Sequence, residues 1–165
     1  MNDKVGIKDF HVKGKGLYAR EVIQQGELIC ITNGDILTLE EYSKHQAPLH
    51  CYQVELFLHQ APTAMDCLDA IFSCNHSCNP NAGIRNATGL VALREIEIGE
   101  EICFDYAMCD CTLGDKPTVI MNCKCNTPEC RFAITDMDWR MPELRQKYKG
   151  YFSTYLQEVI DKEFP

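Results

Sequence analysis

Three closely spaced cysteines near residue 125 have the most specific spacing in the chain. Cys123, Cys125 and Cys130 form a C-x-C-x4-C pattern. Cysteine thiolates at short spacing are the usual ligands of a structural zinc ion, which takes four ligands in a tetrahedron. The cluster supplies three of them, so the spacing predicts a zinc site whose fourth ligand comes from elsewhere in the chain.

Three segments upstream of these cysteines combine glycine, amide, imidazole and phenol groups. Their sequences are G-K-G-L-Y-A at 14–19, N-H-S-C-N-P-N at 75–81 and G-E-E-I-C-F-D-Y at 99–106. Glycine lets a backbone approach a ligand closely, and a phenol is neutral near pH 7 because its ordinary pKa is about 10. The segments therefore offer groups that hold and orient a ligand, although the first one alone also fits a plain hairpin turn.

The number of cysteines favours a metal site over disulfide bonds. The chain has 11 cysteines among 165 residues, which is an odd number. Its first residues do not show the basic and apolar pattern of a secretion signal. We therefore expect reduced thiols in an intracellular, reducing compartment. If the source is eukaryotic, a chain of this size is expected in the cytoplasm, or in the nucleus by diffusion.

Composition and charge limit the class of protein. Apolar residues make up 45% of the chain and charged residues 24%, which are ordinary values for a single globular domain. The 16 basic and 24 acidic residues give a formal charge of −8, which argues against binding to duplex DNA. No run of about 18 apolar residues occurs, so we expect no membrane-spanning helix.

Short apolar segments separated by glycine turns predict a mostly β domain around these groups. The predicted strands cover residues 5–10, 17–22, 28–32, 52–58, 90–93 and 101–106. Thr38 and Glu41 fit a capping box that opens a short helix at 38–42. Residues 66–73 are compatible with either a helix or a loop. Residues 107–130 show little periodicity and are predicted to form a loop that a metal organises.

The last part of the chain has a helical pattern. From Pro142 onward, leucine, valine, isoleucine and aromatic residues recur at steps of three and four. Gly150 weakens or splits this helix, since glycine costs about 1 kcal/mol relative to alanine. The aromatic residues Tyr148, Phe152 and Tyr155 are expected to pack into the core. If they were exposed, they would form an interface for a homodimer or a substrate protein.

The three segments and the cysteine cluster, in this order, resemble the SET-domain protein lysine methyltransferases with a cysteine-rich, zinc-binding post-SET tail. The resemblance covers about residues 5–130. It implies transfer of a methyl group from S-adenosylmethionine to a lysine side chain. That reaction is an in-line displacement, which requires close alignment and a neutral amine.

The resemblance implies roles for individual residues. Tyr106 is the expected catalytic residue, with its hydroxyl beside the methyl group and the target nitrogen. Phe104, which lacks a hydroxyl, is expected to permit di- or trimethylation, or else simply to pack in the core. His76 is expected to act mainly through its backbone. The expected cofactor-binding residues are Lys15, Gly16, Leu17, Tyr52, Asn75, His76, Tyr106 and Lys124.

The position of Tyr52 fits a strand core equally well, and Trp139 or Phe132 is a further candidate to flank the adenine. The resemblance also implies the missing zinc ligand, which is Cys78 in the second segment. Cys109 and Cys111 form a C-x-C pair that could compete for the metal. The implied ligand set around one zinc ion is Cys78, Cys123, Cys125 and Cys130. The cysteines expected to be small buried residues are Cys30, Cys51, Cys67, Cys74 and Cys103.

The resemblance implies a SET fold, which consists of small curved antiparallel sheets around a pseudoknot, here followed by a C-terminal helical extension. The expected division is a SET domain at 1–110, a post-SET zinc-binding segment at 111–133 and the extension at 134–165. The acidic charge favours a basic, lysine-bearing protein substrate, such as a histone tail or a ribosomal protein. Two alternatives remain: a catalytically weak SET-fold zinc module that binds a protein partner, and a methyltransferase for a non-protein amine.

Overall fold

The structure, a computed structural model, describes residues 2–11, 14–31, 35–38, 40–41, 44, 52–55, 58–61 and 70–165. The predictions for Cys51, for Cys67, for Tyr42 at the end of the short helix and for 66–69 lie outside these residues. For Tyr52 the structure describes the backbone.

Short β-strands dominate the described part of the chain. In chain order they are β1 Val5–Asp9, β2 Lys15–Ala19, β3 Leu28–Ile31, β4 Asp35–Thr38, β5 Tyr52–Glu55, β6 Leu58–Ala61, β7 Asn75–His76, β8 Ala82–Arg85, β9 Gly89–Ala92, β10 Glu101–Phe104, β11 Val119–Asn122 and β12 Ala133–Thr135. Three 3-10 turns are described, at Ala70–Ser73, Tyr106–Met108 and Asp138–Arg140. The mostly β prediction is therefore confirmed.

The strands form small sheets. One has the order β1-β2-β10-β7, and the others are β3-β9-β8, β4-β6-β5 and the hairpin β11-β12. Within the first sheet, β10 pairs antiparallel with β2, so that Ile102 lies opposite Leu17. On its other side β10 runs parallel to β7, with Phe104 opposite His76. Three segments that are far apart in the sequence thus become neighbouring strands.

Two strand predictions need correction. The predicted strand 52–58 is not continuous: β5 ends at Glu55, and Leu58 begins β6, which pairs antiparallel with both β5 and β4. The predicted loop 107–130 contains strand β11, whose partner β12 lies after the cysteines. The apolar residues of β11 supply its strand character, but its partner is too distant in sequence for a local pattern to show the pairing.

The short helix predicted at 38–42 is supported by its capping box. The Glu41 backbone N–H donates to Thr38 Oγ1 over 3.2 Å, and the Thr38 backbone N–H donates to Glu41 Oε2 over 2.8 Å. Glu40 and Glu41 have helical backbone. The reciprocal bonds satisfy backbone N–H groups that a helix N-terminus leaves without partners.

The C-terminal segment forms two helices rather than one. They are α1, Pro142–Lys147, and α2, Thr154–Glu163. Gly150 lies between them at a φ of 84°, in the left-handed region that glycine adopts without strain. The predicted splitting of the helix at this residue is therefore confirmed.

The core lies between the sheets and the C-terminal segment. Leu17, Ile29, Leu90 and Ile102 are fully buried within it. The aromatic residues of the C-terminal segment complete the same core, since Tyr148 and Phe152 are buried in one cluster with these strands. The expectation of core packing is confirmed, and a homodimer through this aromatic stripe finds no support. Among the described residues, no helix combines the length and apolar character needed to cross a bilayer.

Candidate active site and metal centre

The glycine turn before β2 is shaped by close packing. A Cβ atom on Gly16 would lie 2.6 Å from Asn75 Nδ2 and 2.8 Å from the Phe10 ring, so a larger residue there would have to displace these side chains. Asn75 Nδ2 donates hydrogen bonds to the Lys15 carbonyl, over 3.3 Å, and to Glu101 Oε1, over 2.8 Å. The amide of Asn75 therefore fastens the turn to β10, and this requires glycine at position 16.

The same turn has the features needed for contacts to a ligand through the main chain. Gly14 has a φ of 74°, and the structure places no described atom within 4 Å of the position a Cβ would take. Lys15 is exposed, whereas the side chain of Leu17 is buried in the core. The turn is thus open at Gly14 and Lys15 and anchored in the core by Leu17. Such an open backbone lets a cofactor come close to its peptide groups.

Tyr106 begins the 3-10 turn that follows β10, with Asp105 between the two. Its hydroxyl donates to the Cys74 carbonyl over 3.4 Å. Its ring lies with centroid distances of 5.1 Å to both Phe104 and His76. Burial, together with the nearby Cys74 and Asp110, raises the pKa of Tyr106 well above its usual value of 10. The phenol therefore keeps its proton at neutral pH and acts through hydrogen bonding and shape.

His76 joins the turn of Tyr106 to the cysteine cluster. Its ring is buried, and Nδ1 accepts a hydrogen bond from the Tyr106 backbone N–H over 3.3 Å. That bond places the ring proton on Nε2, which lies 3.3 Å from Cys78 Sγ. A neutral imidazole with this tautomer donates to the sulfur and supports its thiolate form. The ring thus has a supporting function and is not placed as a general base.

Four sulfur atoms come together beside His76. The Sγ atoms of Cys78, Cys123, Cys125 and Cys130 all lie within 4.8 Å of one another. Cys78 Sγ is 3.9 Å from Cys123 Sγ, close to the separation of about 3.8 Å that a tetrahedron with zinc–sulfur bonds of about 2.3 Å requires. The donor set therefore fits a structural zinc ion. Cys109 and Cys111 are buried elsewhere in the core and are not part of this group.

A bound metal would change the protonation state of Cys78. Burial raises the pKa of Cys78 to about 11, so that this thiol holds its proton at neutral pH. The backbone N–H of Arg131 donates to the same sulfur over 3.3 Å. This bond and the His76 N–H favour a negative sulfur, which a bound cation would stabilise by displacing the proton.

The chain matches the family model of the SET domain over residues 14–107. The matched range is more than half of the 165 residues. It includes the glycine turn, the second and third motifs at 75–81 and 99–106, and Cys78 of the cysteine cluster. The chain belongs to the SET-domain family.

Three curated relatives of this SET domain are named histone-lysine N-methyltransferases. It is 30% identical to "Histone-lysine N-methyltransferase, H3 lysine-36 specific" of Debaryomyces hansenii over 139 residues, which are 76% of this chain and 18% of that protein. It is 29% identical to ash1 of Drosophila melanogaster, a histone-lysine N-methyltransferase, over 80% of this chain and 6% of the relative. It is 32% identical to an H3 lysine-4-specific enzyme of Cryptococcus neoformans over 73% and 9%. This chain therefore spans less than a fifth of each of these proteins.

The remaining predicted cofactor residues of this SET domain are placed less centrally. Lys124 is exposed in the loop between two cysteines of the cluster. Tyr52 begins β5, where the structure describes its backbone. Trp139 is completely buried in the core, with Nε1 donating to the Asp136 carbonyl, so it does not face a ligand. Phe132, by contrast, which lies two residues after the last cysteine of the cluster, is 76% exposed.

Asp105 is a central residue that the sequence analysis did not identify. Its carboxylate is fully buried and accepts two hydrogen bonds from the Arg131 guanidinium, over 2.6 and 2.7 Å. It also accepts from the Tyr148 hydroxyl over 2.9 Å and from the Ala107 backbone N–H over 3.0 Å. The last bond caps the 3-10 turn that begins at Tyr106. The D-Y pair at the end of the third motif was the available signal.

Asn81 is the second residue that was missed, although it ends the second motif. Its Oδ1 accepts from the Cys103 backbone N–H over 2.9 Å, and its Nδ2 donates to the Glu101 carbonyl over 2.8 Å. The side-chain amide of Asn81 thus bonds to two backbone groups of β10, as a peptide group of a paired strand would. Because Asn81 is buried, these bonds satisfy backbone groups that water does not reach.

Proposed function

We propose that this chain is a SET-domain protein-lysine methyltransferase that uses S-adenosylmethionine and carries one structural zinc ion. The observation that supports this most is the meeting of three motifs on neighbouring strands. The pairing of β10 brings them together: Leu17, next to the glycine turn, lies opposite Ile102, and His76 lies opposite Phe104, two residues before Tyr106. Family membership and the names of the relatives support the same activity.

The proposed cofactor site uses the residues of the turn. When bound, S-adenosylmethionine would supply an electrophilic methyl group on a sulfonium, and the thioether would leave as an amine takes the methyl. Lys15, Gly16 and Leu17 offer peptide groups, and Asn75 and His76 lie next to them on β7. Lys124, in the loop of the cysteine cluster, is the proposed contact from the tail, and Tyr52 the proposed contact from β5.

Tyr106 is the proposed catalytic residue. Its neutral hydroxyl is held at the end of β10 by the turn that begins there, and it can orient a lysine amine by hydrogen bonding. A buried site also lowers the pKa of a lysine amine, because desolvation disfavours the charged form. Tyr106 and the surrounding apolar groups would thus keep the substrate lysine amine neutral and aligned, as the displacement requires.

The proposed zinc ion would be held by Cys78 and by the three cysteines of the β11–β12 loop. Cys78 belongs to the second motif, while the other three ligands come from the tail. The metal would therefore fasten the tail to the part of the chain that carries His76 and Tyr106. Its chemistry would be structural, since a site with four thiolates has no open position for a substrate.

The proposed substrate is a lysine-bearing protein, with a histone tail as the first candidate. The relatives are named as histone-lysine methyltransferases. The formal charge of −8 favours a basic partner. A histone substrate would place the protein in the nucleus, in a eukaryotic source.

The first test of this proposal compares the chain with its Tyr106→Phe variant. Peptide arrays of histone and ribosomal tails are incubated with labelled S-adenosylmethionine, and the products are identified by mass spectrometry. Tyr106→Phe is expected to lower turnover by about 10²-fold or more, as removal of one well-placed polar group does. Calorimetry is expected to show unchanged cofactor binding, because the ring and its packing remain.

The same labelling assay, applied to peptides and to free amines, also separates the proposal from its alternatives. Labelling of free amines but of no peptide would indicate a methyltransferase for non-protein amines. Peptide binding without methyl transfer would indicate a zinc module. Turnover of the Tyr106→Phe variant within threefold of the unchanged chain would remove Tyr106 from the mechanism.

The second test concerns the number of methyl groups added. Phe104 is buried, and its ring lies 5.1 Å from that of Tyr106, so it offers no hydroxyl beside the site. We propose that the site reaches di- or trimethyl-lysine for this reason. Phe104→Tyr adds a hydroxyl that can hold the amine or a water molecule, and one such bond is worth about 1 kcal/mol. Monomethyl product is therefore expected to increase several-fold in mass spectra. Wild-type enzyme that stops at monomethyl-lysine would contradict the proposal.

A further inference from the structure

Three structural parts meet at the carboxylate of Asp105. The residue lies between β10 and the 3-10 turn of Tyr106, and its Oδ1 accepts the Ala107 N–H that caps this turn. Arg131, the residue after the last cysteine of the cluster, donates to both carboxylate oxygens. Tyr148, at the end of α1, donates to Oδ2. Asp105 is therefore bonded to the catalytic turn, the cysteine tail and the C-terminal extension at once.

Arg131 is itself held in place from several directions. Its backbone N–H donates to Cys78 Sγ, and its Nε donates to Asp138 Oδ2 over 2.9 Å. The guanidinium is thus aligned by Asp138 while its two terminal nitrogens meet Asp105 as a fork. A planar fork paired with a carboxylate fixes orientation as well as charge. A displacement of the cysteine cluster would therefore displace the Asp105 carboxylate through the side chain of Arg131.

Tyr148 connects the extension to the same point. Its hydroxyl is buried and also lies 3.4 Å from the Cys78 carbonyl. The Lys147 ammonium donates to that carbonyl over 3.0 Å. Burial and the charge of Asp105 raise the pKa of Tyr148 far above its usual value, so the hydroxyl keeps its proton and donates. The end of α1 therefore contacts both the second motif and the third.

We infer that Arg131 and Tyr148 are positioning residues for Tyr106, acting together through Asp105. This inference rests on the proposed function, because it assigns how the proposed catalytic residue is aligned. It extends that function to residues beyond 107, where the match to the SET family ends. The extension is then part of the catalytic apparatus, and the zinc cluster acts on the reaction through Arg131 as well as by holding the tail.

The test compares Tyr148→Phe and Arg131→Lys with Tyr151→Phe. The first removes one hydroxyl from Asp105, and the second keeps the charge but loses the fork. Tyr151→Phe removes a hydroxyl three residues along the same segment, from a ring that packs against Gly83. Each of the first two variants is expected to lower kcat about tenfold, as loss of one hydrogen bond to a charged group does. The KM for S-adenosylmethionine and the zinc content are expected to be unchanged. Tyr151→Phe is expected to leave kcat unchanged.

The double variant shows whether the two residues act through one group. If both act on Asp105, the losses in kcat combine to clearly less than the product of the single losses. Losses that multiply fully would mean that the two residues work independently and would overturn the shared role. If kcat falls together with cofactor affinity or zinc content, both residues act by stabilising the fold, and the positioning role is overturned.

A second readout does not depend on turnover. In protein labelled with carbon-13 at tyrosine Cζ, the signal of Tyr106 is the one absent from Tyr106→Phe. It is expected to shift in Tyr148→Phe and Arg131→Lys and to stay in place in Tyr151→Phe. An unchanged Tyr106 signal in both variants would overturn the inference. A shift in these variants, with a wild-type chain that methylates no substrate, would refute the proposed function while leaving the positioning of Tyr106 intact.

Discussion

The four-stranded sheet and the cysteine hairpin hold their functional groups by different means. In the sheet, β10 has a partner on each side, and residues such as Leu17 and Ile102 are fully buried. In the hairpin, β11 and β12 pair with each other and with no other described strand, and Val119 and Ile120 are exposed. An isolated two-stranded hairpin is marginally stable in water. The sheet therefore depends on many small contributions, whereas the hairpin, apart from the buried side chain of Ile134, depends on four sulfurs and on Arg131.

This difference predicts which part of the site fails under which perturbation. Loss of one contact in the sheet leaves backbone pairing and burial to hold the rest. Loss of one ligand in the hairpin removes the main constraint on the whole loop. The three predictions that follow test this contrast, in decreasing order of expected effect.

The largest effect is expected from removal of the metal. Cys130→Ser, or treatment with a chelator, is expected to speed hydrogen exchange of tail amides such as those of Cys123 and Arg131 by about 10²-fold or more. Binding of structural zinc contributes on the order of 10 kcal/mol in small zinc domains, so the loop loses most of its stability without it. Amides of β2 and β10 are expected to keep their protection.

Zinc content and a matched cysteine variant control this experiment. Elemental analysis is expected to give about one zinc per chain, and Cys111→Ala is expected to retain it because Cys111 lies outside the cluster. Equal loss of protection in the sheet and the tail would show that the two regions are not distinct. Absence of zinc from protein purified without chelator would remove the metal site altogether.

An intermediate effect is expected from two alanine substitutions in the glycine turn. Gly16→Ala places a Cβ atom against Asn75 and Phe10, so it is expected to lower the free energy of unfolding by about 2–3 kcal/mol. Gly14→Ala places a Cβ atom that meets no described atom within 4 Å and strains only a positive φ, at about 1 kcal/mol. Urea denaturation measures both. A Gly14 variant at least as destabilised as the Gly16 variant would show that backbone conformation, not packing, sets the shape of the turn.

The smallest effect is expected at Phe132 in the tail. This residue has a φ of 64°, which a side chain with a Cβ atom adopts at a cost of roughly 1–2 kcal/mol. Phe132→Gly is expected to raise the free energy of unfolding by about 0.5–1 kcal/mol, after the extra chain entropy of glycine is subtracted. Phe132→Ala retains the strain and is expected to bring no gain. A similar gain in both variants would assign the effect to removal of an exposed ring.

The sequence predicted the parts of the site whose residues are close together along the chain. Cys123, Cys125 and Cys130 were recognisable because they lie within eight residues, and the predicted zinc cluster matches the geometry of their sulfurs. The third motif similarly contains both Phe104 and Tyr106. Cys78, by contrast, was implied only by the family resemblance, since 45 residues separate it from Cys123.

Contacts over long sequence distances were not predictable in this way. Asp105 lies 26 residues from Arg131 and 43 residues from Tyr148, and neither spacing follows a helical or strand period. Single polar residues at such separations look like ordinary surface residues until a fold joins them. The strands β11 and β12 were missed for a related reason, since the metal-binding loop lies between them and hides the hairpin pattern.

The central position of β10 has a consequence for synthesis of the protein. Until residues 101–104 leave the ribosome, neither β2 nor β7 has a partner on the side that β10 later occupies. Unpaired strand edges are sites of aggregation. The edge of β2 therefore stays open while residues 20–100 are made and the edge of β7 while residues 77–100 are made, and the single insertion of β10 closes both. A chain cut short before β10 is expected to bind chaperones or aggregate, even though it contains the glycine turn and the whole second motif.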